Sequence, residues 1–222
     1  MSVRRNIVAN YLGQGLAAAI ALLLVPVYVQ WLGIESYALV GLLAVVQAWA
    51  QLLDMGLPAT LTREMARYRA GTASLIHARD LLVSMEWLYA VVGLVLVAGL
   101  TMAAPWVAGR WLQVESLPLP IVVAALSLLA VVVALRLMEG LLRNALMGLH
   151  LQVWANVVGS GMALLRSVGA LAVLAFVSPT ILAFFAWQAL VSALLVLMFW
   201  LKLHFGLPRG ERRGRFSREA LG

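Results

Sequence analysis

"QLLDMGLPATLTREMARYRAG", residues 51–71, ends a long apolar run with Asp54, Gly56 and Pro58 and passes at once into a basic, helix-forming segment carrying Arg63, Arg67 and Arg69. Glycine and proline halt the preceding helix. Arginines placed just beyond such a stop belong where water and anionic headgroups can reach them. The junction therefore reads as the end of a membrane hairpin, and the side on which it lies fixes the orientation of the rest.

The whole chain supports that reading. It has 222 residues, 64% of them hydrophobic and 11% charged, and its mean hydropathy is +0.99. Soluble domains carry about 25% charged residues, so this chain has too little polar surface to cover a water-exposed core. The fold class is all-α, a polytopic membrane bundle. A helix needs about 20 apolar residues to cross about 30 Å of hydrocarbon, and six candidate spans follow: about 7–31, 36–57, 82–104, 118–142, 151–177 and 179–203. The last two share one uncharged run, Ser167–Leu201, with Ser178-Pro179 as the turn between them. Barrel-type alternation is absent, so helices are the only element that satisfies the backbone in lipid. The first apolar run is too long for a secretory leader and no cleavage signature follows it, so it is expected to be retained. Residues 1–205 are then a six-helix transmembrane lobe and 206–222 a basic tail or linker.

Basic residues orient the lobe. Of the 16 Lys and Arg, thirteen fall on the side of the N-terminus, only Arg110 falls on the other, and Arg136 and Arg166 lie within spans. That bias predicts both termini in the cytoplasm. Residues 59–81 are then an inner loop, in part an amphipathic surface helix. Tyr28, Trp31, Tyr37, Trp106 and Trp111 fit an outer interface belt.

The composition also excludes chemistry. With no cysteine there is no disulfide, no Cys-ligated zinc and no thiol nucleophile. His77, His150 and His204 lie far apart at expected span ends. The loops offer no phosphate-cradling glycine motif and no clustered acids, so neither an enzyme nor a cofactor is expected. The positive charge reads as topology, not as nucleic-acid binding.

What remains is a set of polar residues inside the spans, each of which needs a reason. Asn10 and Gln14 share a face of the first span. Gln47, Gln51 and Asp54 form one stripe on the second, although Asp54 also suits a helix end. Glu86 lies about one turn inside the third. Arg136, Glu139 and Arg143 form a stripe on the fourth; Arg136 could snorkel, and Glu139 and Arg143 could be a simple i,i+4 pair. Asn156, Gly159, Ala163 and Arg166 share a face of the fifth, and Gln188 and Ser192 pair on the sixth. Arg166, about sixteen residues into its span, is too deep to snorkel inward and must face water or a partner. The clustering predicts a polar vestibule between helices, open inward. Its cavity residues are Arg166, Arg136, Asn156, Gln14 and Gln51, with Asp54, Glu86 and Glu139 as counter-ions or coupling groups.

The stretch from Arg4 to Arg67 resembles the N-terminal region of polysaccharide biosynthesis proteins, the O-unit flippases of the multidrug/oligosaccharidyl-lipid/polysaccharide exporter superfamily. The resemblance rests on Pro26-Val27-Tyr28, Leu32-Gly33, Tyr37, Leu53-Asp54-Met55-Gly56-Leu57, Arg63 and Arg67, in that order after a first helix bearing Asn and Gln. It covers about residues 1–80; beyond them only the topology is similar. It implies one lobe of a two-lobed carrier that moves undecaprenyl-diphosphate-linked oligosaccharide between leaflets of the bacterial cytoplasmic membrane, with proton or sodium coupling. Such proteins carry a second lobe, so the chain is expected to be a truncated reading or to pair with another chain or with polysaccharide-assembly proteins. The alternatives are a cation-coupled multidrug exporter and a half-length piece inactive without its second lobe.

Overall fold

The computed structural model describes residues 25–52, 56–112 and 117–206. Gln14 and Asp54, together with Asn10 and the basic tail, lie outside the described residues. The described residues are helical throughout, without strands. Residues 25–32 form α1, and Gly33 at φ +80° turns the chain into α2 (Ile34–Leu52). Gly56, again at φ +80°, starts α3 (Leu57–Arg69), with a proline in its first turn where the missing N–H costs nothing. α4 (Leu75–Trp106), α5 (Leu119–Gly148), α6 (Gln152–Phe176) and α7 (Ile181–Gly206) follow. Among the described residues, five helical stretches, α2 and α4 to α7, are long and apolar enough to cross a membrane. The molecule is a multi-pass membrane bundle.

Several boundaries differ from the sequence expectation, each for a local reason. The third span was expected from residue 82, but α4 begins at Leu75, where the Ser74 hydroxyl caps the helix by accepting from the His77 amide at 3.2 Å. Pro105 does not end α4 either; the chain continues into a π-helical turn, Val107–Trp111, closed by the Leu112 amide on the Val107 carbonyl. The fourth span was expected to stop at 142. α5 runs to Gly148 and stops in a Schellman-type turn, with the Leu151 amide on the Leu146 carbonyl and His150 at φ +60°. Arg143, expected in an inner segment, is therefore within the helix.

α5 is the central strut. It packs against α2, α3, α4, α6 and α7, and α6 packs chiefly on α7. In lipid such contacts are held by close packing and interhelical hydrogen bonds, not by exclusion of water. Gly93 brings α4 so close that a methyl group there would lie 3.3 Å from the Ala134 Cβ. Gly169 leaves room for the Trp187 indole, whose Nε1 donates to the Leu165 carbonyl at 3.3 Å.

The expected inner loop, 59–81, is largely a docked helix. α3 buries Pro58, Leu61, Glu64 and Met65. The Thr62 hydroxyl lies 3.0 Å from the carbonyl oxygens of both Pro58 and Asn144 and 3.2 Å from Asn144 Oδ1, and Asn144 Nδ2 donates to the Gly140 carbonyl at 2.9 Å. The buried Glu64 carboxylate is met by Arg67 at 3.1 Å and Arg63 at 3.5 Å, both reaching in from exposed positions. α3 can approach α5 this closely because residue 148 is glycine.

A Cβ at Gly148 would collide with the Thr62 carbonyl oxygen and lie 2.7 Å from the Met65 Cβ. Because backbone must move, Gly148→Ala is expected to destabilise the bundle by about 1–3 kcal/mol. Gly140→Ala, which meets nothing within 4 Å, serves as the control. Thermal unfolding of the two variants in detergent should separate them; equal midpoints would mean that α3 is not held at that contact.

Candidate functional site

The stripe Arg136, Glu139, Arg143 runs down α5, and each member finds its partner on another helix. Arg136 lies between α2 and α7: its Nη1 donates to Gln47 Oε1 at 2.6 Å and its Nη2 to Gln188 Oε1 at 3.1 Å. Glu139 accepts from Arg166 Nη2 of α6 at 3.2 Å, an ion pair with both side chains less than one-fifth exposed. Arg143 Nη2 donates to Asn156 Oδ1, also of α6, at 2.9 Å. The expected i,i+4 pairing of Glu139 with Arg143 is thus replaced by two interhelical contacts. Spacing along one helix cannot reveal that, because the partners come from α6, 27 residues from Glu139 and 13 from Arg143.

Arg136 and Arg166 come together on one cleft of about 310 Å³, bordered by Tyr28, Tyr37, Ser167, Phe184 and Gln188 among others. α5 forms its floor, α1 and α2 one wall, and α6 and α7 the other. Among the described residues, two guanidinium groups meet one carboxylate, Glu139, so the local charge balance is positive. Both arginines also bury Nε with no acceptor among the described residues. A buried donor with no partner is a cost that a purely structural site would avoid. Arg166 thus pairs with Glu139 and borders the cleft at the same time.

Tyr28 and Tyr37 were expected in an outer aromatic belt, and the structure corrects this. Tyr28 is buried, its hydroxyl donating to the Ser167 carbonyl at 2.9 Å and its ring meeting Phe184 edge-on at 5.5 Å. Tyr37 lines the same cleft. Position near a span end is equally compatible with both placements, and only the neighbours decide. Trp31, Trp106 and Trp111 are exposed.

The other candidates separate. Gln51 borders a second cleft of about 360 Å³ with Gln47, Ala50, Val133, Leu137, Gly140 and Arg136. Asn156 serves Arg143 and lines neither cleft. Glu86 is elsewhere: its carboxylate lies 2.9 Å from His204 Nε2 between α4 and α7, beside a mostly apolar cleft of about 280 Å³ that includes Trp87 and Trp200. His204 stacks on Trp200 with ring centroids 4.4 Å apart. Glu86 is therefore no counter-ion to the arginines. The residues missing from the expected cavity, Gln47, Gln188, Tyr28, Tyr37 and Ser167, include one with a clear signal: Gln188 is an amide that, with Ser192, interrupts the uncharged apolar stretch of its helix.

Residues 3–210, nearly the whole chain, match the family described as polysaccharide biosynthesis protein. The chain belongs to that family. Comparison with curated proteins and with solved structures finds no match. The assignment thus covers the clefts and both flanking walls, while the finer account of what they do rests on the groove itself.

The Arg166–Glu139 contact should show as energetic coupling. Removing Glu139 alone leaves a poorly exposed guanidinium unmatched, a loss of about 3 kcal/mol or more where a buried pair is broken. Glu139→Met should destabilise more than the double variant Glu139→Met/Arg166→Met, and a thermodynamic cycle should return a coupling of about 1–3 kcal/mol. Additive effects of the two changes would show that the pair carries no energy.

Proposed function

We propose that this polysaccharide biosynthesis protein moves a lipid-linked oligosaccharide across the cytoplasmic membrane, with the Arg136–Arg166 cleft receiving the anionic diphosphate of the carrier lipid. The observation that carries the reading is the convergence of two guanidinium groups, against one carboxylate, on a groove inside apolar helices. In that low-dielectric setting a guanidinium is an expensive residue, and a phosphate oxygen is its best-matched partner. Glutamine supports the same chemistry. Gln47 and Gln188 hold Arg136 in place through neutral amide oxygens, which orient the cation without cancelling its charge.

The reading includes a place for a second lobe. α2 and α6 flank the cleft and bury less of themselves than α4, α5 and α7. An opposing lobe, from a longer chain or a partner, would cover those faces and close the groove from above. In this account residues 1–205 act as one six-span lobe with 206–222 as a linker, both ends are cytoplasmic, and rocking of two lobes alternates access. Coupling to protons or sodium remains part of the proposal, carried by Glu139, Asp54 or Glu86. The cationic groove favours this cargo over the cationic drugs of a multidrug exporter, which call for carboxylates facing the cavity.

In cells lacking the native gene, Arg166→Ala and Arg136→Ala are expected to abolish surface glycan while the protein stays inserted at its normal level. Arg166→Lys should retain a fraction of the activity, because it keeps the charge and loses the planar fork. Surface glycan is read by blotting and membrane level by an epitope tag. Normal glycan in Arg166→Ala would remove the cationic cleft from the carrier cycle, and drug resistance conferred by the intact chain would favour the exporter instead.

A further inference from the structure

Among the described residues, Arg136 is the one that lines both the Tyr28–Tyr37 cleft and the Gln47–Gln51 cleft. The two clefts lie at successive levels along α2. Tyr37 and Val40 border the first, and Gln47, Ala50 and Gln51 border the second. At 1.5 Å per residue, Val40 and Gln51 are about 16 Å apart along the helix axis. The Arg136 guanidinium stands between them, its two Nη groups donating to Gln47 on α2 and to Gln188 on α7. Both of those helices pack on α5 and hardly on each other. The forked side chain thus links the two helices across the groove at that level.

We propose that the Gln47–Arg136–Gln188 bridge is a septum that separates the two clefts, so that neither side of the membrane reaches both while the bridge is made. Gln47 and Gln188 are positioning residues for Arg136. The chemistry suits a closure that must open. An amide oxygen binds a guanidinium firmly enough to fix it, but a charged oxygen entering the cleft is the stronger acceptor and takes its donors away. A glutamate in either place would form an ion pair costly to part, as Glu139 does with Arg166 on the neighbouring turn. Arg136 Nε, buried and without a protein acceptor, leaves the side chain less than fully satisfied in the closed arrangement. The septum goes beyond the carrier reading, and its test uses no glycan, so the two stand or fall separately.

The chain has no cysteine, so single reporters need no background removed. The experiment places Val40→Cys in the first cleft or Gln51→Cys in the second and measures labelling by a membrane-impermeant maleimide added to one side of sealed vesicles. With the bridge intact, the two reporters should label from opposite sides. In Gln47→Leu/Gln188→Leu, Val40→Cys should become reactive from the Gln51 side, at a rate at least about tenfold higher, the population shift expected when a charge-assisted hydrogen bond is lost. A Leu129→Cys reporter, in the buried core of α5, checks the bundle. Should that core reporter label as well, Arg136→Lys decides in place of the double variant, because it keeps the charge but cannot span two amides. The assignment is overturned if Val40→Cys already labels equally from both sides with the bridge intact, or if the rate is unchanged in the bridge variants.

Discussion

The arrangement depends on one constraint: a guanidinium inside a membrane span cannot be left against hydrocarbon. α5 carries Arg136 and Arg143 along its length, and α6 contributes Arg166. Each has been drawn to a polar oxygen on a different helix, and those contacts lie where packing is thinnest. α2 and α6 bury less than the other spans, yet α2 is tied to α5 through Gln47 and Arg136, and α6 is tied twice, through Arg166–Glu139 and Arg143–Asn156. Between apolar helices in lipid there is no hydrophobic gain from association. The polar stripe on α5 therefore sets where its neighbours stand, and the apolar residues around it fill the remaining space.

The two arginines of the cleft are held in chemically different ways. Arg166 is matched by a carboxylate and contributes little net charge with it. Arg136 is matched by two amides and keeps its charge whole. Had both been paired with carboxylates, the groove would be polar but neutral, and an anion would have to displace a full ion pair to bind. Had neither been held, two like charges would have sampled many rotamers at a cost in both desolvation and entropy. One fixed cation beside one neutralised pair gives a groove that is positive and preorganised, the condition under which a diphosphate gains most from leaving water.

Much of this was legible in the residues themselves. Long uncharged runs, turn chemistry at Gly56, Pro58 and Ser178-Pro179, and the depth of Arg166 required an all-helical membrane bundle with an internal partner for that side chain. The sequence could not say which partner. Glu139 has Arg143 one turn away and Arg166 on another helix, and local spacing favours the wrong one because interhelical geometry is not written in periodicity. Tyr28 and Tyr37 were ambiguous for the same reason: an aromatic ring near a span end suits an interface belt or a cleft wall equally well. Glu86 looked like a member of the charge cluster until its helix was seen to face α7 and His204. The docking of α3 was hidden more deeply, since a run of arginines suggests solvent, while the deciding residue, Gly148, lies on another helix and is informative only by what it lacks.

α3 also bears on how the groove can change. Thr62 and Asn144 hold α3 against the last turns of α5, so the chain entering α3 is anchored near one end of α2. At the other end Gly33 joins α2 to α1, where the Tyr28 hydroxyl is held by α6. α2 is thus fixed near both ends, and between them it is held by the buried Leu39 and Leu43 and by Gln47 on Arg136. A helix constrained in that way is not free to leave the bundle; the motion open to it is a small tilt or roll about its tethers. Such a motion would bear on both clefts, because Arg136 lines each of them. A single hydrogen-bonded fork at the midpoint is therefore better placed than any terminal contact to decide which cleft is deep and which is closed.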